Sequence, residues 1–318
     1  IGDLGRMLGF NLIPANINLQ FILRKKAFFA LSILLVVSSV AMFTIKGLNY
    51  GIDFQGGIMI DVRTDGPADL GAMRSTLGKL GLGEISLQEF GQPDDVLIRV
   101  QKQEGGEEAQ EDALAKVKQA LGSGIEYRRT EFVGPKVSEE LFIDGVMAVG
   151  FAILAILVYI WFRFEWQFGL GAVVALLHDV LTTIGLFALL GLEFNLSTVA
   201  AILTIAGYSI NDTVVVYDRV RENLRKFKKM ALPELLNNSI NQTLSRTVIT
   251  SMTTLLALFA LYFLGGEVIR DFSFAMIWGV LIGTYSSICV AVPLLLHLNI
   301  RNVGGRDKAK ETAAPASP

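Results

Sequence analysis

Apolar positions along the chain gather into six unbroken blocks of about 18–25 residues, each long enough at 1.5 Å per residue to cross a hydrocarbon layer of roughly 30 Å. They cover about Ala27–Ile45, Phe142–Phe162, Gly169–Leu190, Leu196–Tyr217, Thr247–Leu264 and Phe272–Leu298. Between the first and second blocks the period changes. Gly57–Arg63, Glu84–Phe90, Val96–Gln101 and Ile125–Val133 alternate as strands, and Gly91-Gln92-Pro93-Asp94 supplies a turn between the middle two. Pro67–Leu80 and Glu107–Leu121 carry helical periodicity. The order β-α-β-β-α-β predicts a ferredoxin-like α+β domain inserted into an α-helical polytopic membrane protein with six transmembrane helices.

The pattern divides the chain into a leader over 1–26, a first span over 27–46 and the inserted domain over 47–140. Three spans follow over 141–218, then a basic amphipathic segment over 219–243, two spans over 244–298 and a tail over 299–318. Arg24-Lys25-Lys26 before the first block also suits a signal peptide, with Ser39-Val40-Ala41 as the cleavage site. The length of the run and the five spans after it favour a retained helix. The chain opens with Ile1, which suggests a processed or excised fragment. Leu232-Pro233-Glu234 reads as a helix start, so an amphipathic helix on the membrane surface is expected after the basic stretch, with anionic lipid or another protein as its partner. The tail is rich in Gly, Ala, Pro and charge, and is expected to be disordered.

Charge adds sidedness. The net charge is −2, but 47–140 holds 10 Lys and Arg against 17 Asp and Glu, leaving 18 and 13 elsewhere. The basic residues flank apolar blocks: Arg24 to Lys26, Arg163, the cluster Arg219 to Lys229, and Arg301 to Lys310. With six alternating spans all four groups fall on one side, which places both termini in the cytoplasm and the inserted domain outside. No basic surface stripe points to nucleic acid. Cys289 is the single cysteine, so an internal disulfide and a cysteine metal cage are both excluded.

A charge inside a bilayer is costly and needs a partner or a task. Asp212 lies within the fourth block, with Tyr208 and Ser209 a turn before it, Asn211 beside it and Asp218 further along. Its candidate partner is Arg246 at the start of the fifth block, where Thr247, Thr250, Ser251, Thr253 and Thr254 continue a polar stripe. Two readings compete. In one, Asp212 takes up and releases protons and its pairing with Arg246 switches; in the other, the charges only hold helices together or snorkel to the interface. His178-Asp179 in the third block suits a proton relay or a packed, hydrogen-bonded pair, and lacks the spacing of a metal site. Gly51, Asp53, Gly56 and Gly57 read as a structural linker, because the phosphate-loop ending is missing. No catalytic set assembles, so no enzyme activity and no cofactor are expected.

Several segments carry a family resemblance. Gly51–Gly57 (GIDFQGG), Val133–Ser138 (VGPKVS), Ala200–Arg219 (AAILTIAGYSINDTVVVYDR) and Ser245–Thr254 (SRTVITSMTT) closely resemble the SecF branch of the SecD/SecF family of the bacterial protein-export machinery. The resemblance implies an RND-type half of six helices with a periplasmic ferredoxin-like domain, in the inner membrane. It implies action with SecD beside the SecYEG channel and the SecA motor, use of the proton-motive force on a translocating polypeptide, and association with YajC and YidC. The family's intramembrane aspartate falls on Asp212 and its basic partner on Arg246, and His178-Asp179 matches a further family motif. Two rival functions predict different behaviour: an RND-type exporter of small molecules or lipids, and a scaffold subunit that transduces nothing.

Overall fold

The computed structural model describes residues 18–300 apart from 123, 267, 268 and 299. Most of the expected leader and nearly all of the tail, including Arg301, Arg306, Lys308 and Lys310, lie outside the described residues. Among the described residues, six helices are long and apolar enough to cross a membrane. They are α1 (Lys25–Lys46), α5 (Pro135–Arg163), α6 (Trp166–Leu190), α7 (Leu196–Lys226), α8 (Leu232–Leu264) and α9 (Arg270–Ser286), the last continued by a π-turn over Ser287–Ala291. Between α1 and α5 come β1 (Asn49–Tyr50), α2 (Ile52–Gln55), β2 (Gly57–Thr64), α3 (Leu70–Leu77), β3 (Ile85–Phe90), β4 (Gln92–Val100), α4 (Gly106–Leu121) and β5 (Ile125–Val133). β6 (Glu193–Phe194) joins α6 to α7.

The inserted domain is a four-stranded antiparallel sheet in the order β3-β4-β2-β5. Alternation decides its faces. Ile58, Ile60, Val62, Val96, Ile98 and Val100 form one core with Met73 and Leu77 of α3 and Ala113 and Val117 of α4. Two details depart from the sequence reading. β4 begins at Gln92, because Gly91 takes a positive φ of 89° that lets the chain reverse at a single residue. α3 starts at Leu70, since the Asp69 carboxylate accepts the Ala72 N–H at 2.9 Å and caps it there.

Within the bundle α6, α7 and α9 are mostly buried, while α1, α5 and α8 are mostly exposed. The buried helices approach closely through small residues. A side chain at Gly279 of α9 would collide with Ile205 of α7, and one at Gly185 of α6 with Ser39 of α1. The separate surface helix expected over 219–243 does not form. α7 carries the basic residues to its end at Lys226, and α8 runs from Leu232 straight into its span. Leu235, Leu236 and Ile240 are buried, and Asn223 of α7 donates to Ser239 at 2.8 Å and Gln242 at 3.0 Å. Those first turns of α8 therefore pack against α7 instead of spreading on lipid.

Candidate functional site

Polar residues recur on α7 at helical spacing, and they face the middle of the bundle: Ser209, Asp212, Thr213 and Tyr217 are all buried. Three neighbouring helices meet that stripe with their own polar groups, and the result is two separate centres.

The first is built on Asp179 of α6, which is fully buried. One carboxylate oxygen lies 2.9 Å from His178 Nδ1. The other accepts Ser209 Oγ of α7 at 2.5 Å and Ser286 Oγ of α9 at 2.7 Å. One carboxylate thus joins three helices, and both of its oxygens are occupied. A turn further along, Thr213 and Ser287 hydroxyls meet at 2.8 Å and Tyr217 donates to the Ala291 carbonyl at 3.0 Å, inside the π-turn. Pro293 follows that turn and cannot donate a backbone hydrogen bond, a setting in which a wider turn relieves the clash with the preceding carbonyls.

The second centre is Asp212, facing α8. Thr247 Oγ1 donates to Asp212 Oδ1 at 3.0 Å. Oδ2 is buried and has no hydrogen-bond partner among the described residues. Arg246 is exposed on α8, and it makes no ion pair with Asp212 within 4.0 Å. The neighbour in sequence, Thr247, holds the carboxylate instead. Tyr208 reaches Ser251 at 3.4 Å, and Ser251 in turn meets Thr284 of α9 at 2.7 Å. Asn211 faces away from the core and is exposed. Asp218 does not join Asp212: it pairs with Arg163 at 2.8 Å near the ends of α5 and α7.

The linker residues lie at the opposite end of the bundle, where β1 pairs in parallel with β6 and Asp53 accepts the Leu196 N–H at 2.9 Å. Arg99 of β4 binds Glu193 of β6 there, and burial raises the Glu193 carboxyl above the usual carboxylate range against the opposing pull of Arg99.

Sequence reasoning missed Ser286 and Ser287. Their signal was available as two successive serines beside Tyr285 in an otherwise apolar block, seven residues before a proline.

Comparison with known proteins gives this constellation a context. Residues 113–301 match the family described as Protein export membrane protein SecD/SecF, C-terminal, and residues 41–68 match the SecD/SecF GG Motif. The chain is 48% identical over 291 residues to the Protein translocase subunit SecF of Rickettsia rickettsii, covering 89% of this chain and 93% of that one. It is 47% identical over 320 residues to the subunit of that name from Rhodobacter capsulatus, covering 96% and 94%. Among solved structures, SecDF from Thermus thermophilus, described as a translocon-associated membrane protein, superposes with a TM-score of 0.82 at 37% identity over 92% of this chain. SecDF in its super-membrane-facing form gives a TM-score of 0.65 at 37% identity over 94%. The chain spans only 41% and 40% of those two chains.

Proposed function

The chain belongs to the SecD/SecF family of protein-export membrane proteins and is a multi-pass accessory subunit of the Sec translocase, and we propose that it works there as a proton-driven element with Asp212 as the coupling group. Protonation removes the charge of Asp212, loosens its attachment to α8 and its attraction to Arg246, and lets α7 and α8 repack. A potential of 100 mV is worth about 2.3 kcal/mol for each charge carried across it, so a few protons suffice to drive a helix and domain rearrangement. The observation that carries this reading is the uneven bonding of Asp212: one oxygen held by a single hydroxyl, the other without a partner among the described residues, inside an apolar bundle.

Surface chemistry and the solved SecDF chains support a SecD half as partner. Asn211, Arg246 and Thr250 are exposed within α7 and α8, and such a face is costly against lipid. We assign it to a SecD half, consistent with solved SecDF chains in which this chain matches about two-fifths of the length. The basic ends face the cytoplasm by the positive-inside rule, and the inserted domain faces the periplasm across the inner membrane. There it holds the translocating polypeptide beside SecYEG after the SecA stroke, with YajC and YidC as further associates and anionic lipid at the basic end. The subunit performs no catalysis of its own. His178-Asp179, bonded across three helices, serves as a packing hub.

Asp212→Asn tests the reading. In vesicles supplied with SecA and ATP, the variant is expected to lose the part of export that depends on the proton-motive force. Force-dependent export at the parent level overturns it.

A further inference from the structure

The linker between α1 and the inserted domain is bonded to the start of α7 as well as to its own neighbours. Leu196 is the first residue of α7, and its N–H is one that a helix leaves without an acceptor of its own. The Asp53 carboxylate takes it at 2.9 Å, while the cap residue Asn195 takes the Thr198 N–H at 3.1 Å. A carboxylate there also suits the positive end of the helix dipole. Asp53 sits in α2, a single turn with glycine at either end. Gly51 donates to the Phe194 carbonyl at 2.9 Å, and any side chain on it would collide with the Glu193 carboxylate. The aromatic rings of Tyr50, Phe54, Phe142 and Phe194 close around the turn, with centroids 5.9–6.3 Å apart.

The other end of α2 is fixed to the inserted domain. Gly57 opens β2, the strand flanked by β4 and β5, at a φ of 125°, and a side chain there would run into the Val100 carbonyl. The sheet thus follows α2 directly along the chain, and α2 is hydrogen-bonded to the first turn of α7. Asp212 lies sixteen residues along that same helix, about 24 Å away at 1.5 Å per residue.

We propose that Asp53 is a positioning residue that transmits movement between the inserted domain and α7 through its bond to the Leu196 N–H. The proposal rests on the proton-driven reading given above. It makes the glycine-flanked linker a mechanical joint instead of a passive spacer.

The test uses the full chain with its SecD partner in vesicles, and it breaks the bond from each side. Asp53→Ala removes the acceptor. Leu196→Pro removes the donor at a first helical position, where proline is tolerated. Asp53→Asn keeps an oxygen for the bond. Asp53→Ala and Leu196→Pro are each expected to lower the force-dependent part of export at least about fivefold, the scale of one lost cap, and the double variant no further. Export driven by SecA and ATP alone, and the yield of intact complex, should stay at parent levels, and Asp53→Asn should retain most of the force-dependent part. A merely structural role would move yield and ATP-driven export together. If Leu196→Pro keeps full force-dependent export while Asp212→Asn loses it, the joint is overturned and the coupling reading stands. If Asp53→Ala assembles poorly, Leu196→Pro alone decides. Parent-level force-dependent export in Asp212→Asn overturns the coupling reading, and the joint with it.

Discussion

Replacing Asp179 with alanine removes a carboxylate that α6, α7 and α9 share. Three contacts are lost together: His178 Nδ1, Ser209 Oγ and Ser286 Oγ. His178 lies on α6 itself, so two of the three contacts cross between helices; interhelical hydrogen bonds in membrane proteins average about 0.6 kcal/mol and reach about 1.7, which puts their loss at roughly 1–3 kcal/mol. Ser286 also donates to the Gly283 carbonyl at 3.1 Å, an alternative that draws the figure toward the lower end. Titrating the purified chain from mild detergent into a denaturing one gives the unfolding free energy directly. Asp179→Asn, which keeps one acceptor oxygen, should recover much of the loss and leave force-dependent export per assembled complex near the parent level. A cost below about 0.5 kcal/mol for Asp179→Ala would refute the hub, since it is less than a single average bond. So would an Asp179→Asn variant of parent stability that has lost force-dependent export, because that pattern belongs to a proton relay.

Two further outcomes follow from packing and from charge. Gly279→Leu forces a side chain into Ile205 where α9 crosses α7, so it should destabilise the bundle by about 1–3 kcal/mol, read as a lowered melting temperature; an unchanged melt would show that the crossing has slack. In the inserted domain, Arg63 binds both oxygens of the buried Asp95 at 2.7 Å and holds its carboxyl below the usual range, with Arg128 adding to the effect. A depressed carboxyl contributes stability that is complete above the unfolded value of about 3.9 and fades as pH falls through the lower folded value. Hydrogen exchange of the sheet should therefore accelerate below about pH 4 in the parent and much less in Asp95→Asn, and identical acid limbs would count against the pair.

The helices and the succession of strands were legible because each rests on a local period: unbroken apolar runs for the spans, alternation for β2 through β5. The failures came where long-range packing overrules local composition. Arg219 to Lys229 looks like a surface segment in sequence, yet Asn223, Ser239 and Gln242 stitch its flanks into the bundle. The site was half legible. An aspartate in an apolar block announces itself, whereas Ser286 and Ser287 are ordinary residues until α9 is laid against α6 and α7. The pairing of Asp212 with Arg246 also resisted spacing arguments, because on α8 a single residue step, about 100° around the helix, decides whether Thr247 or Arg246 faces the carboxylate.

The contrast between the two aspartates follows from how many donors reach them. Both lie in the same bundle, and α7 supplies residues to both. Asp179 is closed by three side chains, two of them on helices other than its own, so changing its charge would disturb two interhelical contacts at once and find no free oxygen to work with. Asp212 is held by one hydroxyl from α8, so changing its charge alters a single interhelical bond while a buried oxygen stands ready to accept a new donor. A group that must alternate between two bonding states needs the second arrangement. On that ground we propose the switching role for Asp212, with the ionised carboxylate drawing the exposed Arg246 of the adjoining face toward its unpartnered oxygen and protonation releasing it.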